Sequence, residues 1–120
     1  AEITVILKKH GFAVFYPEQV PFLQQVAIFA NVRYLVGEHG SGLTNLLFMQ
    51  KGASVLELHK SKTHDFNHPG PIFWYMAHAL QINYYHQVCQ DYEKEDYFEG
   101  DYIVDVDLLE QNLILMLNKI

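Results

Sequence analysis

The chain has 120 residues, half of them hydrophobic and 18% charged, with a formal net charge of −6. This is the balance of a globular chain with a core, and the negative charge excludes a general binder of nucleic acid or anionic membrane, since both need a positive face. The single cysteine, Cys89, excludes an internal disulfide and favours a reducing, cytoplasmic compartment, and no apolar run approaches the roughly 18 residues of a membrane span.

Ile3, Ile6 and Leu7 recur at helical spacing, Lys8 and Lys9 suit a helix carboxyl end, and Gly11 stops the helix. The chain enters this pattern directly from Ala1, as expected of a piece of a longer protein. Phe12-Ala13-Val14-Phe15-Tyr16 reads as a short strand ended by Pro17. Pro21 suits the first turn of a broadly apolar helix through Phe22, Leu23, Val26, Ile28, Phe29 and Ala30. Val32-Arg33-Tyr34-Leu35-Val36 is a buried strand. Gly40-Ser41-Gly42 then turns into a helix with Leu43, Leu46, Leu47 and Phe48 on its apolar face, and Gly52 breaks that helix before a strand at Ser54–Leu58. This βαβαβ rhythm with short links predicts a mainly parallel sheet in one domain over 1–120.

His59 to Pro71 reads as a polar loop. Its His59, His64 and His68, with Asp65, invite a metal reading, but Pro69-Gly70-Pro71 makes the region loop rather than helix, so the spacing does not place ligands on one face and no metal site is read. Phe73, Trp74, Met76, Ala77 and Leu80 predict a helix, and Ile82–Val88 a fourth strand. Asp91–Asp101 is an acidic surface without the spacing of an EF-hand, and Cys89 reads as a small buried side chain. Val106 to Leu117 is a final helix with Asp105 or Asp107 as its N-cap.

The turn at Gly40-Ser41-Gly42 is the stretch with chemistry. Two residues without a Cβ permit positive φ and close approach to bare N–H groups, and a following helix points its first N–H groups and the positive end of its dipole at whatever lies there. Phosphate or carboxylate suits such a place, at the carboxyl end of a strand in an open α/β sheet. Two glycines in this spacing also serve simply to make a tight turn, and Thr44 and Asn45 either touch the ligand or satisfy backbone groups of the first helical turn. A hydrolase elbow is ruled out, because His39 stands where Gly-x-Ser-x-Gly needs its first glycine.

Gly11-Phe12, Pro17-Glu18, Gln25-Val26-Ala27-Ile28-Phe29, the block Val36-Gly37-Glu38-His39-Gly40-Ser41-Gly42-Leu43-Thr44-Asn45-Leu46-Leu47-Phe48-Met49, then Gly52 and Val55-Leu56-Glu57-Leu58 resemble glycosyltransferase family 61. The His39–Asn45 block is the most specific part. Trp74–Ala77, Tyr84-Tyr85 and Val104–Asp107 extend the resemblance over nearly the whole chain. Ser41 stands where the family has alanine, and the family's preceding strand, with its arginine-rich continuation, is missing. The resemblance implies a Rossmann-like three-layer αβα fold with about four strands, being the C-terminal, donor-binding half of a GT-B-like enzyme. It implies transfer from a nucleotide sugar, often UDP-linked, with inversion, to a glycan, polysaccharide or protein hydroxyl, with no further cofactor. The acceptor, and perhaps the base, would belong to the N-terminal half.

The donor-binding residues read on this basis are Glu38, His39, Gly40, Ser41, Gly42, Leu43, Thr44, Asn45 and Glu57. His39 is the catalytic candidate, through the leaving diphosphate or the donor ring, its other reading being a structural histidine that ties down the turn. Glu38 is also readable as a solvated charge. Glu57 either holds a ribose or caps the next segment. The alternative function is a non-catalytic α/β module that binds an anion or a partner, with an exposed sheet edge or apolar face through which it forms a homodimer.

Overall fold

The computed structural model describes residues 2–38, 40–60, 72–91 and 102–118. His39, the loop residues His64, Asp65 and His68, and the acidic run beyond Asp91 lie outside the described residues. The fold is α/β. Three parallel strands, β1 (Tyr34–Glu38), β2 (Ser54–Lys60) and β3 (Asn83–Asp91), form an open sheet, and the two-residue β4 (Tyr102–Ile103) adds antiparallel to β3. The helices are α1 (Glu2–Lys9), α2 (Phe22–Asn31), α3 (Ile72–Leu80) and α4 (Val106–Met116), with short 3-10 segments at Pro17–Gln19 and Ser41–Phe48. Among the described residues, no helix is long and apolar enough to cross a membrane.

The alternation of β2 explains the two faces. Leu56 and Leu58 point to a core shared with Cys89, Leu109, Leu113 and Met116, packed by Ile3, Ile6 and Leu7 of α1. Val55 points the other way, into a core of Phe29, Leu43, Leu46, Met49, Phe73 and Ala77. The layers are therefore α1 and α4 on one side, and α2, α3 and the longer 3-10 segment on the other, the Rossmann-like αβα arrangement expected. Asp105 is the N-cap of α4, its Oδ1 accepting from Leu108 N–H at 3.1 Å. Glu110 of α4 meets Lys9 Nζ at 2.9 Å and His10 Nε2 at 2.8 Å, which ties the end of α1 to α4 and holds the Glu110 carboxyl below its usual range.

Three expectations are corrected. The strand pattern at Phe12–Tyr16 forms no strand with any of the described residues; Phe15 instead packs edge-on against Phe29, ring centres 5.8 Å apart. The helix after the turn is 3-10, not α. Leu43, Leu46 and Met49 are its buried residues, and spacing by three puts them on one face only at three residues per turn. Gly40 is extended, with φ 161°, so the turn does not draw on positive φ there.

Cys89 is 2% exposed, and its thiol is pushed up to about 11 by burial and, secondarily, by the charge of Glu38. At about pH 8, iodoacetamide is expected to spare Cys89 in the folded protein and to label it on denaturation, because the thiolate is the nucleophile. Labelling at equal rates in both states would contradict the burial. The folded state keeps this proton at a pH where the unfolded thiol has lost it. The resulting stability is whole below about pH 9 and declines as pH rises toward about 11.

Candidate functional site

The carboxyl ends of the parallel strands make one rim of the molecule. Glu38 ends β1 and is exposed there, and the 3-10 helix starts three residues later with Gly40 as its cap. Its first ladder bond runs from Leu43 N–H to Gly40 C=O at 3.0 Å. The N–H groups of Ser41 and Gly42 precede that bond, and they point out of the helix's amino end as such groups do. Leu43 is buried while Thr44 is exposed.

The position of this helix is set from below and from the side. Below lies Gly37 of β1. A Cβ built there would stand 2.8 Å from Leu43 Cδ2, so the helix rests directly on bare backbone of the sheet. From the side, Asn45 Nδ2 donates to Gln25 Oε1 at 3.3 Å, and Gln25 Nε2 donates in turn to the carbonyls of Pro17 at 2.7 Å and Val20 at 2.8 Å. The Asn45 amide thus ties the turn to α2 through a side-chain bond, a role that neither of its two sequence readings named.

Glu57 lies in register with Gly37 on one side and His86 on the other. It is fully buried and accepts a hydrogen bond from the Tyr84 hydroxyl at 2.5 Å. Burial, then the bond to Glu57 and its negative charge, push the Tyr84 phenol far above its usual range. His86 packs near Tyr84, ring centres 5.8 Å apart, and near the buried His59 at 5.5 Å. Glu57, Tyr84, His86 and His59 thus form a polar group on the face of the sheet that carries the 3-10 helix. The sequence reading missed Tyr84 and His86 as members of a site and put His59 in a loop. The alternation of Val55, Glu57 and His59 against Tyr84, His86 and Val88 was the available signal. Among the described residues, no group of three or more His, Cys, Asp or Glu is placed to hold a metal ion.

The family profile of Glycosyltransferase 61 matches residues 1–56, which takes in the turn and the whole 3-10 helix and stops one residue before Glu57. The EGF domain-specific O-linked N-acetylglucosamine transferase of Drosophila melanogaster is 48% identical over 42 residues, which are 35% of this chain and 8% of that protein. The chain thus aligns with a small part of the length of that relative. No solved structure matches the chain. Residues 1–56, with the rim turn and the helix that follows it, are thus the part of the chain that is similar to the glycosyltransferase 61 family.

Proposed function

We propose that this chain is the donor-binding part of a glycosyltransferase, which takes a sugar from a UDP-linked nucleotide sugar and passes it with inversion to a hydroxyl of a glycan or protein held by another part of the enzyme. The observation that carries the reading is the amino end of the 3-10 helix, with Ser41 and Gly42 ahead of its first ladder bond, at the carboxyl end of β1 and inside the region matched to the family. The diphosphate would lie over Gly40–Asn45, accepting from the backbone N–H groups of Ser41 and Gly42, with the Ser41 or Thr44 hydroxyl assisting. Leu43 and Asn45 hold this cradle in place. Glu38 ends β1 on the rim, and His39, the next residue in the chain, would meet the leaving diphosphate or the donor ring. Glu57 is the ribose residue of the proposal, and because its side chain is fully buried it serves a ribose only if the rim opens to uncover it.

Catalysis on this reading is chiefly electrostatic. As the bond from sugar to diphosphate breaks, negative charge grows on the leaving oxygen, and fixed N–H donors and a helix dipole aimed at that oxygen favour the charged state. The name of the Drosophila relative makes N-acetylglucosamine the first donor sugar to try.

The test is an amide-shift titration of the chain with UDP, GDP, CMP and inorganic diphosphate. Shifts concentrated at 40–45 and near Glu57, larger for UDP than for diphosphate, are expected. A folded protein whose turn stays silent to all four would end the donor-site reading.

A further inference from the structure

Gln25 is a half-buried residue of α2 whose carboxamide is engaged at both ends. Its Nε2 donates to the carbonyls of Pro17 at 2.7 Å and Val20 at 2.8 Å, and its Oε1 accepts from Asn45 Nδ2 at 3.3 Å. A carboxamide has two N–H donors on its nitrogen and only acceptor sites on its oxygen, so these partners leave Gln25 one orientation. Turned over, its oxygen would stand against two carbonyl oxygens.

Asn45 is oriented in turn. Gln25 shows it an oxygen, so Asn45 must offer a donor, and its own oxygen is directed elsewhere. That Oδ1 accepts no hydrogen bond from the described residues and is not sealed in by them. At three residues per turn, Asn45 lies on the face of the 3-10 helix that carries Gly42, one turn further on. Helical side chains lean toward the amino end of their helix, here toward Ser41 and Gly42. An amide oxygen in that place repels a phosphate oxygen and attracts a hydroxyl.

We propose, on the donor-site reading above, that Gln25 is a positioning residue: it turns the Asn45 carboxamide so that Oδ1 accepts from a hydroxyl of the bound nucleotide sugar. The turn is then divided between two kinds of ligand atom. The N–H groups of Ser41 and Gly42 take the charged oxygens of the diphosphate, and Asn45, one turn on, takes an alcohol. The direction of that second bond is set by the main-chain carbonyls of Pro17 and Val20, through two carboxamides in series. Inorganic diphosphate carries no alcohol and gains nothing from it.

Two measurements on the 120-residue chain test this. The first reads the orientation. Asn45→Asp sets a carboxylate against Gln25 Oε1, two acceptors with no proton between them. By carbon-13 NMR the introduced carboxyl is expected to titrate about one pH unit or more higher than in a chain that also carries Gln25→Met, which has no oxygen opposite. Equal titration in the two chains would overturn the inference. The second measurement reads the ligand, with UDP-N-acetylglucosamine, UDP and inorganic diphosphate. Gln25→Met is expected to weaken nucleotide-sugar binding by about threefold or more and to leave diphosphate binding within about twofold. A matching loss with UDP assigns the hydroxyl to the ribose, and retention of UDP binding assigns it to the sugar. An equal loss for all three ligands would make Gln25 a support of the turn and overturn the inference, with the donor site intact. A folded parent chain that binds none of the three ends the donor-site reading itself.

Discussion

Leu46→Ala is expected to lower the stability of the chain by about 2–5 kcal/mol, and its melting temperature by about 10 °C or more. Leu46 is 0% exposed and stands in the middle of the buried row Leu43, Leu46, Met49. Truncation leaves a cavity against Phe29, Val55 and Phe73, members of the same core. Beyond the side tie from Asn45 to Gln25, the helix above it depends on this packing, since 3-10 hydrogen bonds are poorly aligned and long 3-10 runs are uncommon. The same variant should therefore also weaken any nucleotide shifts at 40–45. Leu47→Ala is the control. Its side chain is 55% exposed, one residue along the same helix, and its loss is expected to cost within about 0.5 kcal/mol. Urea melts of the two variants decide the matter, and equal costs would refute the role given to the buried row.

Tyr84→Phe is expected to cost about 1.5–3 kcal/mol, the range for a hydrogen bond to a charged group. It removes the hydroxyl that donates to Glu57, whose side chain is entirely enclosed. Glu57→Gln should cost less, because an amide oxygen still accepts from the hydroxyl. A double-mutant cycle between Tyr84→Phe and Glu57→Gln should return a coupling of about 0.5 kcal/mol or more, as for residues that share one bond. The pH dependence supplies an independent reading. The folded phenol keeps its proton above the value near 10 at which an unfolded tyrosine loses it, so this contribution is whole below about pH 10 and falls away as pH rises. Tyr84→Phe lacks that contribution, and its stability should decline less steeply above about pH 10 than that of the parent. Parallel slopes would show that the folded state does not hold the Tyr84 proton beyond the unfolded value.

Much of the fold was legible in the residues because the signals were local. Ile3, Ile6 and Leu7 with Gly11 mark α1, and Gly11 does adopt the left-handed conformation, with φ +87°. Ser54–Leu58 falls inside β2, and Asp105 caps α4 as one of its two readings required. The failures share a cause: each depends on a neighbour distant in sequence. Phe12–Tyr16 has strand composition, but a strand exists only against a partner, and strand preference is largely a property of context. Leu43 and Leu46, three apart, fit an α or a 3-10 helix equally, and only the burial of Met49 decides between them. Tyr84 and Glu57 meet on a diagonal between adjacent strands, which no reading finds before the register is known. For the donor site, the turn was visible as a motif, while its supports in Gln25 and Gly37 lie in side-chain and backbone contacts that a linear pattern does not contain.

The contact of Leu43 with Gly37 has a consequence for the strand beneath it. Because β1 carries no side chain at that point, the Leu43 side chain lies directly on the backbone of the sheet, two residues beyond Ser41. A single added methyl at position 37 would have to displace a buried leucine by tenths of an ångström or more. The seat of Leu43 thus depends on one atom that is not there.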